Sequence, residues 1–119
     1  MNYSPIIIVS AEPNSIFLEI FFKVIGKNKI KSPIILISSK KLLTLQMKKL
    51  NYKKRIRLLN PKYFRKEKLN NKTINLIDIE YGPKKAFEKI STKSNLFIEK
   101  SFKLAFKIME KNNFHKFIN

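Results

Sequence analysis

IIIVSAEPNSIFLEI, residues 6 to 20, changes its hydrophobic rhythm halfway. Ile6 to Val9 are four consecutive apolar, β-branched residues. The polar turn SAEPNS (10–15) follows, and from Ile16 the apolar positions take a different spacing. A buried strand feeding a helix gives this pattern, and the turn between them is a common place for a ligand in open α/β sheets. Turns that cradle phosphate are often rich in glycine, and this one has none. Two readings stand side by side. Backbone N–H groups near Asn14 to Ile16 could face an anion at a helix N-terminus, with Glu12 beside them. Alternatively, Asn14 or Ser15 only caps the helix and Glu12 is solvated.

The same alternation continues along the chain. Pro5 to Ser10 reads as a buried strand of a parallel sheet covered on both faces. The helix after it has Glu19 near its start and Gly26 at its end. Ile16, Ile20 and Val24, with Phe17 and Phe21, form its expected apolar stripe. Ser32 to Ser38 is a second buried strand. Ser39 then caps KKLLTLQMKKLN, where Leu42, Leu43, Met47 and Leu50 share one face. Arg55 to Leu59 is a shorter third strand closed by Pro61. KYFRKEKLNNK reads as an irregular connection or one helical turn, and Asn70-Asn71 as a turn. Thr73 to Ile79 is a fourth strand, with an interior acid at Asp78.

Gly82-Pro83 breaks the chain, and KKAFEKISTKSN after it is ambiguous between a short helix and a loop. A long helix is expected from about Asn95 to about Asn112, with Ile98, Phe102, Ala105 and Met109 on one stripe and Phe97, Leu104 and Ile108 beside it. Phe114, Phe117 and Ile118 imply a fifth strand that stops where a ligand-bearing loop would start. The chain is therefore read as truncated, the alternative being a small domain ending on an edge strand. The expected fold is α/β: one segment, 1–119, with a mostly parallel sheet flanked by helices.

Composition narrows the function. A length of 119 residues with 44% hydrophobic content suits one globular domain. The absence of cysteine excludes disulfides and thiolate chemistry and points to a reducing cytoplasm. MNYSPIIIVSAEP has no basic leader, and no stretch approaches the roughly 18 apolar residues that cross a bilayer. The expectation is a cytoplasmic chain without a membrane partner. The net charge of +18 invites a nucleic-acid reading, and a small basic nucleic-acid-binding α/β module is the alternative function. Against it, lysines number 23 and arginines three, the lysines run along the whole chain, and base reading usually depends on arginine forks. The charge is read as solvated surface that carries no specific nucleic-acid site.

Side chains that carry chemistry are few. His115 stands alone between Phe114 and Lys116 and reads as structural or surface. The eight acids are dispersed, and no metal-binding, nucleophile-elbow or glycine-rich phosphate motif occurs. No catalytic residue and no metal ligand is assigned. The site candidates are Glu12, Pro13, Asn14 and Ser15.

PIIIVSAEPNSIFLEI resembles the opening of the 4-hydroxythreonine-4-phosphate dehydrogenase family of vitamin B6 biosynthesis, a strand followed by a turn of the type G-[ED]-P-A-G-I-G-P-E. Glu12, Pro13, Ile16 and Glu19 match in place. Ala11 stands where the family has glycine, and Asn14, Ser15, Phe17 and Leu18 replace its small residues and proline. SPIILISSKKLLTLQMKKLN resembles the family's next strand and helix. STKSNLFIEKSFKLAFKIMEKNNFHKFIN resembles the long helix and strand before its G-P-x-x-K loop. The resemblance spans essentially the whole chain but only about the first third of a full-length member.

What the resemblance implies follows the family. The fold would be the incomplete N-terminal part of an isocitrate/isopropylmalate-dehydrogenase-like architecture. The activity would be NAD- or NADP-dependent oxidation of a small phosphorylated amino-acid substrate, 4-hydroxythreonine 4-phosphate, with decarboxylation of the product. A divalent metal would be held by histidines between the subunits of a homodimer. Those histidines, the phosphate contacts and most cofactor contacts would lie beyond Asn119, and His115 matches none of them. The chain alone would bind no cofactor demonstrably and would not complete the reaction.

Overall fold

A computed structural model describes residues 4–10, 12–13, 15–27, 30–81 and 92–119. Among the described residues five strands and three helices follow in the order β1 (Ile6–Val9), α1 (Phe17–Lys27), β2 (Ile34–Ser38), α2 (Lys40–Lys49), β3 (Ile56–Leu58), β4 (Ile74–Asp78), α3 (Thr92–Asn112) and β5 (Lys116–Ile118). Every strand pair is parallel, in the order β3-β4-β2-β1-β5. The α/β reading holds, and β5 lies at one border of the sheet, paired with β1 alone among the described residues.

Strand alternation divides the core in two. Ile8, Ile34, Leu36, Ile74 and Leu76 face α1 and α2, packing with Leu18, Phe22, Leu42, Leu43 and Met47. Ile7, Val9, Ile35, Ile37 and Ile77 face the other way, against Ala105 and Ile108 of α3 and Phe114 beyond it. The central strands are apolar on both faces because both are covered, which is why their sequences run continuously apolar.

α1 buries a different stripe from the one expected. Leu18, Phe21, Phe22 and Ile25 are buried, whereas Ile16, Ile20 and Val24 are 62%, 50% and 40% exposed. Both sets satisfy a helical period. The decision falls to what lies beside them: Glu19 and Lys23, joined in an i,i+4 pair, flank the Ile16–Ile20 stripe and keep it in water. The opposite stripe is wholly apolar and carries two aromatic rings.

α3 starts three residues before the expected Asn95, and its tightest line is Ser94, Phe97, Ser101, Ala105 and Ile108. Ile98, Phe102, Leu104 and Met109 are only half-buried beside it. Small residues on this line let the helix lie close to the sheet, and the Ser101 hydroxyl is satisfied by donating to the Phe97 carbonyl at 2.7 Å.

Asparagine closes two helices. Asn51 and Asn113 follow α2 and α3 with φ of 54° and 56°, a left-handed conformation that asparagine tolerates better than most residues. Between β3 and β4 the chain makes a tight turn at 60–63 and one 3-10 turn, Lys66–Lys68. The Asn70-Asn71 turn is present, and Asn71 does more than turn. Its side chain accepts from Ile34 N–H at 2.8 Å and donates to the Ile30 and Ser32 carbonyls at 3.1 and 2.8 Å. Asp78 is the last residue of β4 and is exposed, so it sits at the strand's end instead of its interior. Gly82-Pro83 and the ambiguous segment as far as residue 91 lie outside the described residues.

Candidate functional site

Parallel strands bring all their carboxyl ends to one edge, and that edge gathers the polar groups that packing does not use. At its centre Ser10 and Ser38, both buried at the ends of β1 and β2, meet hydroxyl to hydroxyl at 3.0 Å.

The turn after β1 folds on itself. Ser15 donates from its backbone N–H and its hydroxyl to the Glu12 carbonyl, at 3.2 and 2.8 Å. The same hydroxyl accepts from Phe17 N–H at 3.2 Å, so Ser15 caps α1. Pro13 is buried, and its carbonyl accepts a 3.1 Å hydrogen bond from the side-chain amide of Gln46, a wholly buried residue of α2. Glu12 and Ser15 are half-buried, and Asn14 lies outside the described residues. The described part of SAEPNS is thus a braced corner with Glu12 at the carboxyl edge.

A second corner lies beside it, between β2 and β4. Ser39 accepts from Leu42 N–H at 3.2 Å and donates to the Tyr81 carbonyl at 3.1 Å. Asp78, from the neighbouring strand, accepts from Lys40 N–H at 2.8 Å. A carboxylate therefore already answers the positive end of α2, where an anionic ligand would otherwise bind. α2 packs on one face of the sheet and the part of α3 around Ala105 and Ile108 on the other, so the helices that follow these adjacent strands in sequence cover opposite faces. Open α/β sheets bind ligands at such a switch point. A crevice of about 350 Å³ occupies it, lined by Ser39, Lys41, Asp78, Glu80 and Tyr81.

Glu12, Pro13 and Ser15 thus share one edge with this crevice. His115, just before β5, is exposed at the opposite, amino end of the strands. Gln46, Ser10, Ser38, Lys41, Glu80 and Tyr81 were not singled out from the sequence. Gln46 alone carried a signal: it is a polar residue amid the apolar face of Leu42, Leu43, Met47 and Leu50. Among the described residues no three His, Asp or Glu side chains converge as metal ligands, and no helix is long and apolar enough to cross a membrane. The donors described at this edge therefore do not make a divalent-metal site by themselves. Asp78 is engaged by α2, and no imidazole stands near it.

No protein-family profile matches the sequence, and no curated protein matches it significantly. Solved structures do. A 4-hydroxythreonine-4-phosphate dehydrogenase from Burkholderia phymatum superposes with a TM-score of 0.81 at 17% identity, over 99% of this chain and 38% of its own. The Klebsiella pneumoniae 4-hydroxythreonine-4-phosphate dehydrogenase gives 0.77 at 14% identity, over 98% and 38%. This chain spans well under half the length of those proteins. Its five parallel strands and three helices have the fold of the N-terminal part of a 4-hydroxythreonine-4-phosphate dehydrogenase.

Proposed function

We propose that this chain is the N-terminal portion of an NAD- or NADP-dependent, divalent-metal-dependent dehydrogenase that oxidises 4-hydroxythreonine 4-phosphate on the route to pyridoxal phosphate. The observation that carries the reading is the likeness over 99% of the chain to a dehydrogenase of that name. The positions of Glu12, Pro13, Ile16 and Glu19, which match the family's first turn, support it independently. In this reading Glu12, Pro13, Asn14 and Ser15 form the substrate-side loop. The crevice between β2 and β4 is the neighbouring wall, where Lys41 offers a cation to a phosphorylated substrate and Asp78 and Glu80 accept from its hydroxyl or amino groups. The chain supplies walls and orientation. The metal, the imidazoles that hold it and most nicotinamide contacts belong to the rest of the enzyme, which assembles as a cytoplasmic homodimer.

Sequencing the DNA that flanks the coding region tests the proposal directly. A G-P-x-x-K loop and histidine codons are expected downstream of Asn119, in frame or one frameshift away. Unrelated downstream sequence would overturn it. Where the continuation exists, the joined protein should reduce NAD or NADP with 4-hydroxythreonine 4-phosphate, and the 119-residue chain should not.

A further inference from the structure

Between Lys53 and Lys72 the chain places nine of its 26 basic residues against one acid, Glu67. All three arginines, Arg55, Arg57 and Arg65, fall within this span. Folding gathers it onto one border of the sheet. β3 is the outermost strand, paired only with β4 among the described residues, and the connection that follows folds back beside it. Arg57 reaches across and donates to the Lys68 carbonyl at 3.0 Å. Lys111, from the far end of α3, joins the border by donating to the Lys62 carbonyl at 2.9 Å. Glu67 is already answered by Arg65 at 2.9 Å, so the acid offers the border little relief.

The arrangement goes beyond a scatter of lysines. Ile56 packs toward the α1–α2 core, so its neighbours Arg55 and Arg57 share the other face of the strand, about 7 Å apart. Both are exposed, and nothing in the core requires arginine at either place. Tyr63, on the turn that follows, is 74% exposed and presents a flat ring. A groove of about 430 Å³, lined by Lys48, Lys53, Lys54, Tyr52 and Ile56, adjoins the strand's amino end. On α1 and α3 some lysines are answered by acids, Glu19 with Lys23 and Glu99 with Lys103, whereas the four lysines of α2 have no acid on their own helix.

We infer that the β3 border is a sequence-tolerant binding surface for single-stranded nucleic acid. Cations in a row track a phosphate backbone. Guanidinium groups and an exposed phenol ring give unpaired bases a surface on which to stack. An acidic polypeptide would satisfy the charges but would leave the Tyr63 ring without a flat partner. A duplex hides its base faces from that ring. The inference is independent of the dehydrogenase reading.

Fluorescence anisotropy of the 119-residue chain with a labelled 20-nucleotide single-stranded RNA of mixed sequence tests it. Two triple variants lose the same three charges: Arg55→Gln/Arg57→Gln/Lys68→Gln at the border, and Lys23→Gln/Lys31→Gln/Lys100→Gln elsewhere. At 100 mM salt the border triple should bind at least tenfold more weakly and the remote triple less than threefold. The log-affinity against log-salt slope should flatten by about 2 for the border triple, at roughly 0.7 per lost phosphate contact on a single strand. Tyr63→Ala should bind at least threefold more weakly. If the border triple does not fold by circular dichroism, Lys53→Gln/Lys62→Gln/Lys72→Gln replaces it. Those side chains make no hydrogen bond or ion pair among the described residues. Equal weakening in both triples would overturn the inference. So would unchanged affinity in Tyr63→Ala, no measurable binding at 100 mM salt, or displacement of the RNA by duplex or polyglutamate as readily as by unlabelled strand.

Discussion

The side-chain amide of Gln46 donates a 3.1 Å hydrogen bond to the carbonyl of Pro13, 33 residues earlier in the chain. It ties the middle of α2 to the turn after β1, so the candidate loop is held by a helix that belongs to the next structural unit. Gln46→Leu should lower unfolding stability by about 1–3 kcal/mol, because the Pro13 carbonyl loses its partner inside the protein. Urea denaturation reads the loss. Hydrogen exchange should show faster opening at Ser15 and Phe17, with α2 less affected.

The choice of buried stripe on α1 separates two substitutions of similar chemistry. Leu18→Ala should cost about 2–5 kcal/mol, since Leu18 is buried in the core where α1 meets α2 and the sheet. Ile20→Ala, at a half-exposed position, should change stability by about 0.5 kcal/mol or less. Thermal melts of the two variants check the assignment. The reverse order would mean that the helix is rotated.

Asn71 satisfies three backbone groups of the segment entering β2. Asn71→Ala should destabilise the chain by about 2–3 kcal/mol, taking roughly 1 kcal/mol for each neutral hydrogen bond. Asn71→Asp keeps the acceptor for Ile34 N–H but loses both donors, and should restore less than half of the loss. Denaturant midpoints give the comparison.

Asp78→Ala should remove about 0.5–1.5 kcal/mol, because α2 loses the carboxylate at its amino end. Asp78→Asn retains an acceptor and should recover much of it. Asp78 is exposed, so the difference between the parent protein and Asp78→Asn, which is the charge contribution, should shrink as salt is raised toward about 0.5 M.

Burial raises the Tyr52 hydroxyl pKa above its ordinary value of 10.0. Its ring stacks on Phe22 at 4.9 Å, in the groove between α1 and the end of α2. The folded state holds the proton more tightly than the unfolded chain does. The associated stability is therefore complete below about pH 10 and is lost as pH rises through the folded value. Between pH 9 and 11 the parent protein should lose more stability than Tyr52→Phe. Parallel curves for the two would remove Tyr52 as the cause.

The alternation of period within 6–20 and again within 32–50 made the two βα units readable, and the continuous isoleucines announced a sheet covered on both faces. The buried side of α1 was not readable in the same way. FLEIFFKVIG is apolar nearly all round, so periodicity offers two stripes and only the placement of Glu19 and Lys23 separates them. At the site, Glu12 and Pro13 could be placed because they follow a strand directly. Asp78 and Tyr81 could not be joined to Ser39, because that pairing depends on β4 inserting beside β2, and no local residue records strand order. Gln46 lay in plain sight as a polar break in an apolar face, a reliable sign that something distant needs a hydrogen bond.

The register that sets Ile6 beside Lys116 has a kinetic side. β1 is made before the other described strands and soon finds β2 on one flank, but its other flank meets β5 only after more than a hundred further residues have been made. Closing so long a span is entropically slow. Until β5 has been made, the most apolar strand of the protein offers an open ladder to any passing chain, which makes the nascent polypeptide a natural client for chaperones that shield strands.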